Sequence, residues 1–297
     1  MTVKQMVKCA ITQTTLGDYA HEIIHQNYQK IVKQEKPVLK DKDPEPLHQM
    51  RVEMRRLRTI LWVFDAAIAL PINIANVAKV SKSLGKTRDF DVLYERLVNH
   101  YYPGLSAIDQ DLLRPTLVQI QHLRRKSFRQ LQRTLEGDHY QQIKQSLKHW
   151  LEEPAYTTTG RLLVWQILPD LLLPLICRLF MHPGWTVSEL TPETSPTLHD
   201  LRKCIKGVRY QAEFFKDFYG EQYLRAIAEF RDIQELLGQL QDAEVLEQVL
   251  AAYPKPQGLS AQISAEKSAF WQKWQPIKSR YLSMEFRQEM RSLLIPS

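Results

Sequence analysis

The chain has 297 residues, of which 44% are hydrophobic and 25% charged, a balance that excludes a disordered or fibrous protein. That length exceeds the roughly 250 residues at which one core stops growing, so two packed units are expected. The formal net charge of +7 favours an anionic partner, although simple solubility would also account for it.

Cys9, Cys177 and Cys204 are scattered without metal-ligand spacing, which suits a reducing compartment and small apolar filler better than disulfides. Residues 1–17 hold no continuous apolar run, so no signal peptide is read and the cytoplasm is the expected location.

In chain order, Leu16 to Lys36 reads as a first helix with Tyr19, Ile23, Ile24, Tyr28, Ile31 and Val32 on one side, ending before Pro37. His21 and His25 are four apart but have no third ligand at a fixed offset, so no metal is expected there. Leu47 to Phe64 is the element around which the chain is organised. On a helix His48, Arg51, Arg55 and Arg58 fall within an arc of roughly 80°. Leu47, Met50, Met54, Leu57, Leu61 and Phe64 take the neighbouring arc, so one side is buried and the guanidinium groups stand at its edge. Trp62 is expected in the core with Phe64.

Pro71 ends that helix, and Ile74 to Tyr101 reads as the next, with Lys79, Lys82 and Lys86 as a second basic stripe running into Arg88, Asp89 and Asp91. After the break at Pro103-Gly104, Ala107 to Leu135 is a long helix on which His122, Lys126, Arg129 and Arg133 share a face. Tyr140 to Leu151 is a short amphipathic connector. Arg161 to Met181 is read as a largely buried helix and not a membrane span, because Gln166, Asp170 and Arg178 interrupt it and Pro169 and Pro174 would kink it.

A loop with three prolines leads to Leu198–Phe215, which repeats the first motif: His199, Arg202, Lys206 and Arg209 form the stripe, and Leu198, Leu201, Ile205, Val208, Ala212 and Phe215 the apolar face. Helices are then expected over Gln222–Ala252, Ser260–Lys278 and Arg280–Leu294. No strand alternation with hairpin turns occurs. LGKTRDFDVL at Leu84–Leu93 recurs as LGQLQDAEVL at Leu237–Leu246, which matches Asp89 with Asp242 and Asp91 with Glu244. A period near 150 residues is too long for a solenoid. It predicts two homologous four-helix units joined by the Tyr140 helix.

Arginine's planar fork gives a phosphate two parallel hydrogen bonds, and lysine adds a mobile point charge. Several helices offering both point to a polyanion. His48 and His199 can donate to phosphate and gain charge on protonation, so binding should strengthen below about pH 6.5. Asp89, Asp91, Asp242 and Glu244 are read as carboxylates that orient the cations, with no metal and no cofactor expected.

The blocks LHQMRVEMRRLR with LGKTRDFDVL, and LHDLRKCIKGVRY with LGQLQDAEVL, resemble the paired signatures of the CHAD family, the conserved histidine α-helical domain. The likeness covers nearly the whole chain. It implies one all-α domain over 1–297, built as two four-helix bundles related by a pseudo-two-fold axis: a first helical unit 1–137, a connecting helix 138–154 and a second unit 160–297. It also implies that inorganic polyphosphate binds in a basic central channel. The family's motif positions fall on His48, Arg51, Arg55, Arg56, Arg58, His199, Arg202, Lys203, Lys206, Arg209 and Tyr210. Lys82, Lys86, Arg88, Lys126, Arg129 and Arg133 join them as candidate ligand contacts.

Within the repeat, Gly207 stands where the first copy has Arg56, Gln241 replaces Arg88, and Asp232, Glu235 and Gln239 replace Lys79, Lys82 and Lys86, so the second unit is the less basic. The fused triphosphate-processing CYTH domain of some members has neither room nor its ExExK pattern here. A non-enzymatic binding module, recruited to polyphosphate granules, is the resulting expectation. The alternatives are an RNA- or DNA-binding protein, which would add aromatic platforms where only Tyr210 adjoins the stripes, and an enzyme acting on polyphosphate.

Overall fold

The computed structural model describes residues 13–251 and 256–294; Cys9 lies outside them. Among the described residues the structure is all-α, with two isolated β-bridges, Thr15 with Leu163 and Ile68 with Tyr156. The helices are α1 Leu16–Lys40, α2 Glu45–Val63, α3 Ile74–Arg96, α4 Ala107–Glu136, α5 Asp138–Glu152, α6 Val164–Phe180, α7 Ser195–Phe214, α8 Glu221–Leu250, α9 Gln257–Leu282 and α10 Met284–Ser292. They group by packing into two compact units. The first holds the described residues through Leu97 with Leu117–Ile167, and the second Val98–Thr116 with the described residues from Leu168 on. α4 is therefore divided between the units, and α5 packs within the first.

In the first unit Thr15 caps α1 by accepting from the Asp18 amide. Pro37 does not end this helix, contrary to the sequence expectation. Proline removes one donor, but Val38 is buried in the core and the Asp41 amide closes the last turn on the Val38 carbonyl. Asp41 itself adopts a left-handed conformation, φ 49°, and its carboxylate is held by Arg124. α5 is anchored on α1, where Glu35 accepts from Tyr140 at 2.6 Å and from Lys144 at 2.8 Å.

The phase read for α2 is the one observed: Leu47, Met50, Met54, Leu57, Ile60, Leu61 and Phe64 are all buried. Trp62 is a correction, because it is 60% exposed rather than in the core. It lies beyond the apolar arc, on the arginine side of the helix. Asn73 caps α3 by accepting from Ala75 and Asn76, and the segment Leu97–Tyr101 continues it as a π-turn and not as regular α-helix. α3 meets α4 through Thr87 with Ser127 at 2.9 Å and Ser83 with Thr134 at 3.2 Å.

In the second unit an aromatic stack forms the centre. Trp185 lies 5.3 Å from Trp274 and 4.3 Å from Tyr281, ring to ring, and its indole N–H donates to the Leu179 carbonyl. Gly184 allows this because a β-carbon there would lie 2.7 Å from Leu201 on α7. α6 begins at Val164, after a short 3-10 turn, and is amphipathic and not largely buried: Leu168, Leu172, Ile176, Leu179 and Phe180 are covered, while Trp165, Cys177 and Arg178 are exposed. Val164–Thr186 is long and apolar enough to cross a membrane by length and composition alone.

Candidate functional site

α2 and α3 form an antiparallel pair in which Arg51 reaches across to α3. Its Nε lies 3.6 Å from where a β-carbon on Gly85 would sit, and its Nη2 donates to Asp89 Oδ1 at 2.9 Å. Asp89 is itself mostly exposed, so this ion pair adds little stability and serves to direct the guanidinium. Arg55 and Arg56 are half-buried and make contacts of their own, while Arg58 is exposed.

The face of α3 that carries Lys82 and Lys86 is set by its contact with α4. On the helical wheel these lysines lie roughly 100 to 140° from Thr87, and Lys126 and Arg133 lie roughly 100 to 120° from Ser127, with Arg129 roughly 160° away. The two helices run antiparallel, so both displacements lead to the same side of the pair, with Lys86 level with Arg129 and Lys82 with Arg133. Lys82, Lys86, Lys126, Arg129, Arg133 and Arg58 are all exposed and hold no ion pair among the described residues. Asp89 adjoins the lysine row on the α3 wheel, which carries Arg51 to the same side.

Arg88 is not brought there. It turns to the other side of α3, is 13% exposed and pairs with Glu95 at 3.2 Å. Its neighbour in that interior is a network invisible in the motif: Arg124 grips Asp41 with both terminal nitrogens and donates from Nε to Asp91 at 2.8 Å. Asp89 and Asp91 thus each orient an arginine. Burial raises the Asp91 carboxyl above its ordinary value despite the opposing bond from Arg124.

The second unit repeats the crossing with tighter clearance. Arg202 lies over α8 with Nη2 2.9 Å from a β-carbon placed on Gly238, and Nε donates to the Gln234 carbonyl at 3.3 Å. Arg209 is 9% exposed; it donates to the Gln234 side chain at 3.1 Å and is paired with Glu213. Tyr210 is half-buried beneath Arg209, 4.4 Å from the guanidinium carbon to the ring centre, and Lys206 stands 5.7 Å above the same ring. Lys203 is exposed and pairs with Asp200 at 2.9 Å. Ser195, at the start of α7, is bonded to Glu244.

Both motif histidines are half-buried. Burial holds His48 below the ordinary imidazole value, reinforced by Arg88, and burial with Lys203 and Arg202 does the same for His199, whose Nδ1 is buried without a hydrogen-bond partner. Protonation of either therefore begins at lower pH than the 6.5 of a free imidazole.

The CHAD domain family model matches residues 22–251. Among solved structures, the CHAD domain from the plant Ricinus communis is 23% identical with a TM-score of 0.59, covering 95% of this chain and 92% of that one. PptA from Streptomyces chartreusis is 18% identical with a TM-score of 0.64, covering 88% and 100%. No curated protein matches. Identities this low carry the fold alone, whereas the family match spans most of the chain and takes in both motif helices with the α3 and α8 blocks they cross: this chain belongs to the CHAD family.

Proposed function

We propose that the protein binds inorganic polyphosphate as a non-enzymatic module, with the exposed cations of the first unit as its main contacts. The observation that carries this is the contrast among basic side chains. Arg88, Arg124 and Arg209 are turned inward and matched by carboxylates. Lys82, Lys86, Lys126, Arg129 and Arg133 stand on one side of the α3/α4 pair without an ion pair among the described residues. Two rows of unmatched charge repel each other and attract a chain of phosphates, to which arginine donates bidentately. Family membership supports the same ligand class.

Titration with long-chain polyphosphate and with single-stranded RNA, each at two salt concentrations, tests the reading. Log affinity should fall with log salt at a slope near −0.7 for each phosphate contact, and polyphosphate should compete out RNA of equal charge. A flat salt response would sink it. No release of orthophosphate is expected on prolonged incubation, and a fluorescent fusion should collect on cytoplasmic polyphosphate granules.

A further inference from the structure

Trp62 stands on the cationic side of α2. Taking Arg51 as the origin of the helical wheel, Arg58 lies at roughly −20°, Trp62 at roughly +20° and Arg55 at roughly +40°. Trp62 is therefore in line with the arginines, one turn beyond Arg58, about 6 Å further along the axis. Its indole is 60% exposed and takes part in no ring contact among the described residues. The crossing of Arg51 at Gly85 fixes the register of the antiparallel pair and sets Ile74, 53% exposed, level with Trp62. The arginine row thus ends in an exposed aromatic ring.

The internal repeat shows what this position holds in the other unit. Arg209 and Glu213 of α7 correspond to Arg58 and Trp62 of α2, and there the acid occupies the arginine as a mostly buried ion pair. In α2 an aromatic ring replaces the carboxylate, so Arg58 keeps its charge unmatched and gains a flat apolar neighbour. A phosphate on Arg58 and a planar ring on Trp62 would complement both.

We infer that the end of α2 is a subsite for a nucleobase joined to a phosphate chain, with the base stacked on Trp62 and the phosphates running from Arg58 toward Arg55 and Arg51. Single-strand binders stack successive bases on successive aromatic side chains; here one exposed ring closes a row of cations, which suits one base and several phosphates, a nucleoside polyphosphate. The inference rests on the reading that the exposed cations of the first unit, Arg58 among them, hold phosphate.

Calorimetric titration of the full chain with adenosine triphosphate and with inorganic tripolyphosphate, both without divalent metal, tests it. Tripolyphosphate has the same phosphate chain and no base, and its greater charge works against the expected order. Adenosine triphosphate should bind roughly 5- to 150-fold more tightly, the range for stacking one base on an aromatic side chain. Trp62→Ala should abolish that difference and leave tripolyphosphate unchanged, while Trp62→Phe should keep most of it. Equal binding of the two by the parent protein, or an equal loss of both in Trp62→Ala, overturns the subsite and leaves the polyphosphate reading intact. If polyphosphate and tripolyphosphate both fail to bind while adenosine triphosphate binds through Trp62, the polyphosphate reading falls and the subsite stands. A short oligoadenylate without a 5′-triphosphate that gains as much from Trp62 overturns the assignment to a nucleoside polyphosphate in favour of an RNA strand.

Discussion

Arg202 lies across α8 at Gly238, its Nη2 2.9 Å from where a β-carbon on that glycine would sit. The matching pair in the first unit, Arg51 at Gly85, leaves 3.6 Å, which is ordinary contact. Alanine is favoured over glycine inside a helix by about 0.8–1.0 kcal/mol. Gly85→Ala should therefore raise stability by up to about 1 kcal/mol, a shift of roughly 2–4 °C in Tm for a protein of this size class. Gly238→Ala should raise it less or lower it, because the guanidinium must move and its bond to the Gln234 carbonyl, worth about 0.5–1.5 kcal/mol, is lost. Thermal melts of the two variants side by side decide the matter.

Arg209 and Arg58 occupy equivalent positions in the repeat with opposite surroundings. Arg209→Ala leaves Glu213 and the Gln234 side chain without their partner, a loss expected to cost roughly 2–3 kcal/mol, since Arg231 remains near Glu213. Arg58→Ala, at an exposed site, should stay within about 0.5 kcal/mol of the parent and weaken polyphosphate binding. Urea denaturation measures the first pair of numbers and titration the second. Comparable destabilisation by both variants would contradict the placement of Arg58.

Stability should fall on the acid side of neutrality. His48, His182 and His199 all protonate below the free imidazole value, first through burial. A histidine held neutral in the fold contributes stability above its unfolded pKa of about 6.5, and that contribution is lost as pH falls below 6.5 toward the folded value. The urea midpoint should drop between pH 7.5 and 5.5, and His48→Gln with His199→Gln should flatten the profile. Polyphosphate raises the pKa of a histidine beside it, so affinity should rise as pH falls toward the lowered values of the free protein, and the gain should disappear in the same double variant.

The two units should contribute unequally to ligand binding. Lys82 is exposed and unpaired among the described residues, whereas Lys206 is half-buried over the Tyr210 ring and has further contacts. Lys82→Gln is expected to lower polyphosphate affinity more than Lys206→Gln and to reduce the salt slope by about 0.7, one contact's share. Equal losses for the pair would mean that both motif helices meet the ligand alike.

The sequence by itself determined the all-α class, the phase of both motif helices and the repeat, because a period of 3.6 written in Leu47, Met50, Met54, Leu57 and Leu61 admits one buried side. Glycine recurs at Gly85 and Gly238 ahead of Asp89 and Asp242, but only the structure shows that Arg51 and Arg202 cross there. The tertiary structure alone decided which cations stay available. Helical phase gives a side chain's direction and not what covers it: Arg58 and Arg209 share one phase, yet Glu213 and Gln234 enclose the second while the first remains open beside Trp62. The same holds for Arg88, turned inward to Glu95, and for α1, which runs through Pro37 because Val38 is buried beyond it. Contacts between residues far apart in the chain outweigh the local cost of a proline, and no local pattern records them.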